Sequence, residues 1–179
     1  MTNDLEHTTA LLERTPGALD ELLRGLPPAW TDANEGSDSW SPREIVAHLS
    51  HAERTDWIPR MKHLLEFGES RPFPPFDREG QRTAMQGKSM AELLEEFSQL
   101  RAAGLEELRA LAPATGDMER RGLHPALGAV TLGQLLATWA AHDLTHLHQI
   151  SRVMAYQYRE AVGPWSKFLG VMQCRAHSE

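Results

Sequence analysis

Residues 138–154 have the sequence TWAAHDLTHLHQISRVM, and the apolar periodicity of this stretch predicts the fold. Apolar side chains recur every three or four residues, which is the period of one face of an α-helix. At 100° per residue, His142 and His146 lie within about 20° of Leu135 in the middle of that face. His148 falls on the opposite side of the helix. We therefore predict that the first two histidines face the interior of a helical protein and that His148 faces solvent.

His142 and His146 are four residues apart, so their Cβ atoms on a helix are about 5–6 Å apart and both imidazoles can converge on one cation. The alternative is a pair of neutral core histidines, each of which needs hydrogen-bond partners for two ring nitrogens. The HxxxH pattern is short and arises by chance in many helices. A third ligand from another part of the chain would favour the metal interpretation.

The clearest helix start in the chain is WSPRE, at residues 40–44. Ser41 is predicted to cap the helix, Pro42 suits its first position, and Glu44 completes a capping box. On this second helix His48 borders the face that Ala52 and Ile45 share, so it is the candidate third ligand.

His51 lies about 60° from His48 around the same helix, further from the centre of the inward face. We expect it at the margin of the site or beside a ligand. Three imidazoles from two facing helices leave coordination positions open, and open positions distinguish a catalytic metal site from a closed structural one.

The remaining periodicity is also helical, and no stretch alternates convincingly enough to predict a strand. Residues 68–81 and 113–130 are predicted to be long irregular connections. The fold class is therefore all-α: a four-helix bundle with long crossover connections plus a short C-terminal helix, in a single domain spanning residues 1–179. The predicted helices are 4–26, with a restart where Thr15 caps and Pro16 follows; 42–67, with a kink near Pro59; 90–111, opened by a Ser89–Glu92 capping box; 132–158; and 164–174, with a docking stripe of Trp165, Phe168, Leu169 and Met172.

The composition argues against several functional classes. The net charge of −7 and the pI of about 5.7 disfavour nucleic acid as a partner, because phosphate binding needs a concentrated cationic face. No apolar run has the length of a membrane span, and the N-terminus lacks a basic segment followed by an apolar one. We expect a cytoplasmic protein without an internal disulfide, in which Cys174 is an incidental thiol.

Two motifs together resemble those of the DinB/YfiT-like superfamily of small bacterial helical-bundle proteins: WSPREIVAHLSHAE at residues 40–53 and HDLTHLHQI at residues 142–150. The resemblance extends over nearly the whole chain. It implies a four-helix bundle that holds a divalent metal through His48, His142 and His146, with a glutamine three residues after the last ligand, as found here. Many members have two adjacent histidines at the end of the second motif, whereas this chain has Thr145 before His146.

The resemblance implies a site more firmly than a reaction. Characterised relatives include thiol-dependent transferases and the mycothiol-dependent maleylpyruvate isomerase, and many others are described only provisionally as metal-dependent hydrolases. A divalent metal acidifies bound water or a bound thiol, so one centre supports hydrolysis and thiol transfer alike. We expect a small-molecule substrate, possible use of a low-molecular-weight thiol, and a homodimer as a plausible assembly. Three imidazoles suit several metals, of which zinc and nickel are the expected ions.

Asp143 and Asp56 are the candidate catalytic residues, as proton carriers or as hydrogen-bond partners that orient a ligand imidazole. Alternatively, each carboxylate pairs with an arginine or with solvent at a helix boundary. Two other hypotheses stay open. HDLTH could be a variant of the zincin HExxH motif, with Asp143 as the base and Glu160 as a further ligand. The chain could also be a non-catalytic, metal-stabilised bundle that acts as a binding or stress-response module.

Overall fold

The computed structural model describes residues 5–36, 39–77 and 80–174 of the chain. Its α-helices are α1 (Leu5–Leu12), α2 (Thr15–Leu23), α3 (Pro28–Thr31), α4 (Pro42–Thr55), α5 (Trp57–Phe67), α6 (Gly80–Met85), α7 (Met90–Leu111) and α8 (Leu132–Tyr156). Two short strands, β1 (Arg121–His124) and β2 (Gly128–Thr131), pair antiparallel. Short 3₁₀ helices cover Gly68–Ser70, Thr115–Glu119, Gly163–Phe168 and Gly170–Met172.

Four helical arms form the bundle, and they correspond to the four long helices predicted from the sequence. The first arm is α1 with α2, the second is α4 with α5, and α7 and α8 are the third and fourth. The second arm packs against both α7 and α8, while α1 contacts α8 and α2 contacts α7. The fold class is confirmed as an all-α four-helix bundle, with the small hairpin as an addition. In the described part of the chain, no helix is both long and apolar enough to cross a bilayer.

Local capping sets the starts of the arms that carry the candidate ligands. The Ser41 hydroxyl accepts from the backbone N–H of Glu44, and the Glu44 carboxylate accepts from the N–H of Ser41 at 2.8 Å. The same reciprocal arrangement opens α7 at Ser89 and α8 at Thr131. Each box satisfies backbone donors that a helix start otherwise leaves free. The predicted starts of α4 and α7 are confirmed.

A proline interrupts the first arm. Pro16 has no N–H to donate to the carbonyl of Leu12, four residues earlier, and α1 ends at Leu12. The prediction that Thr15 caps the restart is wrong: Arg14 precedes α2 without a side-chain hydrogen bond, and Thr15 is the first helical residue. Asp4, the predicted start of this arm, lies outside the described residues.

A second proline interrupts the second arm. Pro59 cannot donate to the carbonyl of Thr55, and α4 ends at Thr55. The break itself falls at Asp56, with φ −110° and ψ −68°, before α5 continues to Phe67. The predicted kink is confirmed, three residues earlier than the proline. It turns the Asp56 side chain toward the interior, where it is buried.

The two crossover segments contain regular structure that the sequence analysis missed. The second crossover forms the β1–β2 hairpin, which is too short to show a detectable alternation of apolar residues. The first crossover joins it, because the N–H of Phe73 donates to the carbonyl of Leu123 at 2.9 Å. Gly122 permits this contact: a Cβ there would lie 3.0 Å from Cγ of Leu64. The end of the first crossover forms α6, although residues 78 and 79 lie outside the described part.

The C-terminal segment differs from the predicted docking helix. It forms two 3₁₀ turns separated at Leu169, which has φ −101° and ψ 95°. A 3₁₀ helix has three residues per turn, so the predicted stripe with α-helical spacing does not form. Trp165 and Phe168 are 70% and 81% exposed. The predicted docking stripe is therefore wrong.

The buried core consists of two apolar clusters, and buried polar residues interrupt the apolar stripes between them. On α7 the interruption is Arg101, and on α8 it comprises Asp143 and His146. One cluster is built around Trp139 and the other around Phe97. The candidate site is therefore part of the bundle's interior.

Candidate metal centre

Three imidazoles meet inside the bundle, one from α4 and two from α8. Nε2 of His142 is 3.1 Å from Nε2 of His48 and 3.0 Å from Nε2 of His146. One ligand atom from each residue lies within 4.8 Å of the other two. Among the described residues, these three form the group of metal-binding side chains that converges. The predicted ligands are brought together as expected.

The nitrogen separations suit one shared ion. Zinc–imidazole bonds are about 2.0–2.1 Å long, so two nitrogens that share an ion at angles of 90–109° lie about 2.8–3.4 Å apart. The separations of His142 Nε2 from the other two Nε2 atoms, 3.0 and 3.1 Å, fall in that range. Two neutral imidazole nitrogens this close need either a proton or a cation between them. The spacing therefore fits a dication held by the three rings.

Burial favours the uncharged form of the His142 and His146 rings, which is the form that binds metal. Burial is the largest cause that lowers the pKa of His142, to about 2, and repulsion from His146, His48 and Arg101 adds to it. Burial also lowers the pKa of His146, against the opposing effects of its hydrogen bond to Gln149 and of the negative charge on Asp143.

The hydrogen bonds of the rings orient their lone pairs. The side-chain oxygen of Gln149 is 2.8 Å from Nδ1 of His146. A carbonyl oxygen only accepts, so Nδ1 donates and Nε2 directs its lone pair toward the other two histidines. Nδ1 of His142 is buried and has no hydrogen-bond partner among the described residues. Coordination of a metal through Nε2 would fix the orientation of the His142 ring, which no hydrogen bond at Nδ1 does among the described residues.

Three aromatic rings lie next to the histidines of the cluster. The Trp40 ring lies 4.8 Å from that of His48, and the Trp57 ring lies 5.0 Å from that of His142. Phe76, from the first crossover, lies 5.7 Å from His48. These rings limit the access of water and lower the local polarity, which strengthens electrostatic interactions in the site. Trp40 and Phe76 could not be placed from the sequence, because the segment before α4 and the first crossover lack a periodicity that would place them.

Asp143 and Asp56 both pair with arginines, as in the alternative arrangement considered above. Asp143 is fully buried and accepts from both terminal nitrogens of Arg101, at 2.6 and 2.9 Å. Asp56 forms an ion pair with Arg60 at 2.5 Å, and burial raises the pKa of its carboxyl group. Neither carboxylate makes a hydrogen bond to His48, His142 or His146 among the contacts of the described residues. Their catalytic roles stay predictions.

The other candidate residues lie outside the cluster. His51 is buried at its margin, where its Nε2 is 2.7 Å from the carbonyl oxygen of Asp77. His148 is exposed, as predicted. The carboxylate of Glu160, which the zincin alternative requires, is 88% exposed and pairs with Arg159. The described geometry therefore favours the set that includes His48.

Comparison with known proteins identifies the family. The model of the DinB superfamily matches residues 11–150, which span all three histidines. This chain belongs to the DinB superfamily. The match begins near the end of α1 and extends to most of α8, so it includes α4, α5 and α7 and the part of α8 that carries the histidines.

Individual relatives of this DinB-superfamily chain agree with that assignment. A protein of Oceanobacillus iheyensis, which carries the provisional name of a metal-dependent hydrolase, is 27% identical over 142 residues, or 78% of this chain and 80% of the relative. The structure of YfiT from Bacillus subtilis, described as a probable metal-dependent hydrolase with an unusual four-helix bundle topology, superposes with a TM-score of 0.72 over 90% of both chains at 19% identity. The four-helix bundle protein TT2238 superposes with a TM-score of 0.57 over 82% of this chain and 97% of its own, at 24% identity. At these identities the two structures establish the fold.

Proposed function

We propose that this protein is a divalent-metal-dependent enzyme in which His48, His142 and His146 bind one zinc or nickel ion. The observation that carries the proposal is the convergence of three imidazole Nε2 atoms inside the bundle, at separations that suit a common ion. The names given to its relatives, which describe metal-dependent hydrolases, support the same class of chemistry.

When bound, such an ion supplies Lewis-acid chemistry that activates a water or a thiol as a nucleophile at neutral pH. The chain's own residues supply the rest. Gln149 orients the ring of His146, and Trp40, Trp57 and Phe76 exclude bulk water. The thiol in this proposal is a separate small molecule, so the chemistry does not require Cys174. That residue is exposed and lies in the C-terminal segment, apart in sequence from the histidines.

We propose a small molecule with an electrophilic carbon as the substrate, attacked either by water or by a low-molecular-weight thiol. Thiol transfer would form a bond between the thiol sulfur and that carbon, break the bond from the carbon to its leaving group, and release the thioether or thioester together with the protonated leaving group. Hydrolysis would form the new bond to the oxygen of water and release the same leaving group. Asp56 is the candidate proton carrier, since it is buried and burial raises the pKa of its carboxyl group.

The test uses untagged protein loaded with zinc or nickel and an electrophilic ester as the probe, with and without cysteine or glutathione. Consumption that requires both metal and thiol supports transfer, and consumption that requires metal alone supports hydrolysis. His142→Ala should abolish either activity, whereas His148→Ala, an exposed histidine on the same helix, should retain it. Protein that binds metal but accelerates no reaction with a range of electrophiles would support the non-catalytic alternative.

A further inference from the structure

Arg101 links all four arms of the bundle through one guanidinium group. The group comes from the third arm, α7, and the side chain is 1% exposed. It donates to Asp143 on α8, to Glu53 on α4 at 2.8 Å, and to the carbonyl of Leu12 on α1 at 2.8 Å. The carbonyl of Leu12 is available because Pro16 lacks the N–H that would otherwise donate to it in a helix. Both ligand-bearing helices are thus bonded to the same rigid group.

The two carboxylates that Arg101 holds are close in sequence to the histidines. Asp143 lies between His142 and His146 on α8, and Glu53 follows His48 by five residues on α4. The Trp139 indole N–H also donates to Glu53, at 2.9 Å, so Glu53 bridges α7 and α8. Because a guanidinium is planar and binds a carboxylate through two parallel bonds, it fixes orientation as well as distance. A shift of α4 along α8 would have to break these bonds.

We infer that Arg101 is a positioning residue for the metal centre: it holds α4 and α8 in the relative position that lets the three imidazoles share one ion. This inference rests on the proposed metal binding. Arg101 and its carboxylate partners would then contribute more than stability, since buried ion pairs add little net stability compared with apolar packing. The sequence carried a signal for it, because Arg101 interrupts the apolar face of α7 between Phe97 and Leu105.

The effect of Arg101→Met on metal affinity distinguishes a positioning role from an electrostatic role and from a purely structural one. Removing a buried positive charge near the site leaves more negative potential, so a purely electrostatic role predicts tighter binding of a dication. A purely structural role lowers the stability of the metal-free protein and leaves the affinity of the folded protein unchanged. Positioning predicts weaker binding, by the 10- to 100-fold that is typical when groups supporting metal ligands are removed.

The experiment titrates untagged, metal-free protein with Co²⁺ against a competing chelator, under conditions where circular dichroism shows the protein folded. Arg101→Met should raise the Kd for Co²⁺ by about 10-fold or more and alter the visible absorption of the bound ion, which reports ligand geometry. Arg101→Lys keeps the positive charge but loses the planar guanidinium, so it should also weaken Co²⁺ binding. If Arg101→Met does not fold, the affinity of Arg101→Lys is the test of the positioning role. Arg109→Met is the matched control. Arg109 lies on α7, like Arg101, and forms an exposed ion pair with Glu13, so its removal should leave the Kd for Co²⁺ and the visible spectrum unchanged.

Unchanged or tighter Co²⁺ binding, with the wild-type spectrum, in a folded Arg101 variant would overturn the positioning role and leave the proposed function standing. Wild-type protein that binds no Co²⁺ would instead overturn the proposed metal site itself. The two failures are therefore distinguishable.

Discussion

The burial of His142 should make the metal-free protein less stable as the pH falls. The pKa of its imidazole is lowered to about 2 in the folded protein, whereas an unfolded histidine titrates near 6.5. Below pH 6.5 the unfolded chain therefore binds a proton that the folded protein does not. The stability that this histidine contributes is fully present above pH 6.5 and is lost as the pH falls. At about 1.4 kcal/mol per pH unit, the loss reaches about 2.7 kcal/mol at pH 4.5.

This magnitude does not depend on the precise depth of burial, because any folded pKa below about 4 gives the same loss at pH 4.5. The assay is urea unfolding of wild-type protein and His142→Leu, in EDTA, at several pH values from 7.5 to 4.5. Burial raises the pKa of Glu53 and of Asp56, which affects stability in the opposite direction. Both proteins share these groups, so the difference between the two curves isolates His142.

The free energy of unfolding of the wild type, relative to His142→Leu, should fall by about 2–3 kcal/mol between pH 7.5 and 4.5. The exposed His148→Leu is the control, and its difference from the wild type should stay nearly flat. A constant difference for His142→Leu would contradict this prediction, since it would mean that the ring protonates as readily in the folded protein as in the unfolded one.

Three further predictions follow from single contacts. Gln149→Met removes the acceptor of the His146 Nδ1–H and should weaken Zn²⁺ binding by about 10- to 100-fold in a chelator competition, whereas unchanged affinity would show that the ring needs no such support. Ser41→Ala removes the capping box of α4 and should lower the free energy of unfolding by about 1 kcal/mol in urea, and a loss below about 0.3 kcal/mol would contradict it. Gly122→Ala places a Cβ 3.0 Å from Leu64 and should cost about 1–3 kcal/mol in the same assay, so a neutral result would mean that the hairpin packs more loosely than described.

Local rules were sufficient to predict the bundle. The capping boxes at Ser41 and Ser89 each involve residues three apart, so their effect is visible in the sequence itself. The orientation of His142 and His146 also follows from helical periodicity alone. These features need no knowledge of which helices are neighbours.

Apart from the convergence of His48 with His142 and His146, features that depend on contacts between distant residues were not predicted. The partner of Asp143 is Arg101, 42 residues away, and no local rule selects it. The β1–β2 hairpin depends on the contact of Gly122 with Leu64 and on the backbone bond between Phe73 and Leu123. Strands of four residues bury too few side chains to leave a periodic pattern.

The most direct test of the account is the position of the bound metal in crystals of untagged, zinc-loaded protein, measured by anomalous diffraction at the zinc absorption edge. The account predicts one strong peak about 2.0–2.1 Å from Nε2 of His48, His142 and His146. A fully loaded crystal whose peak lies elsewhere, or touches fewer than all three imidazoles, would contradict it.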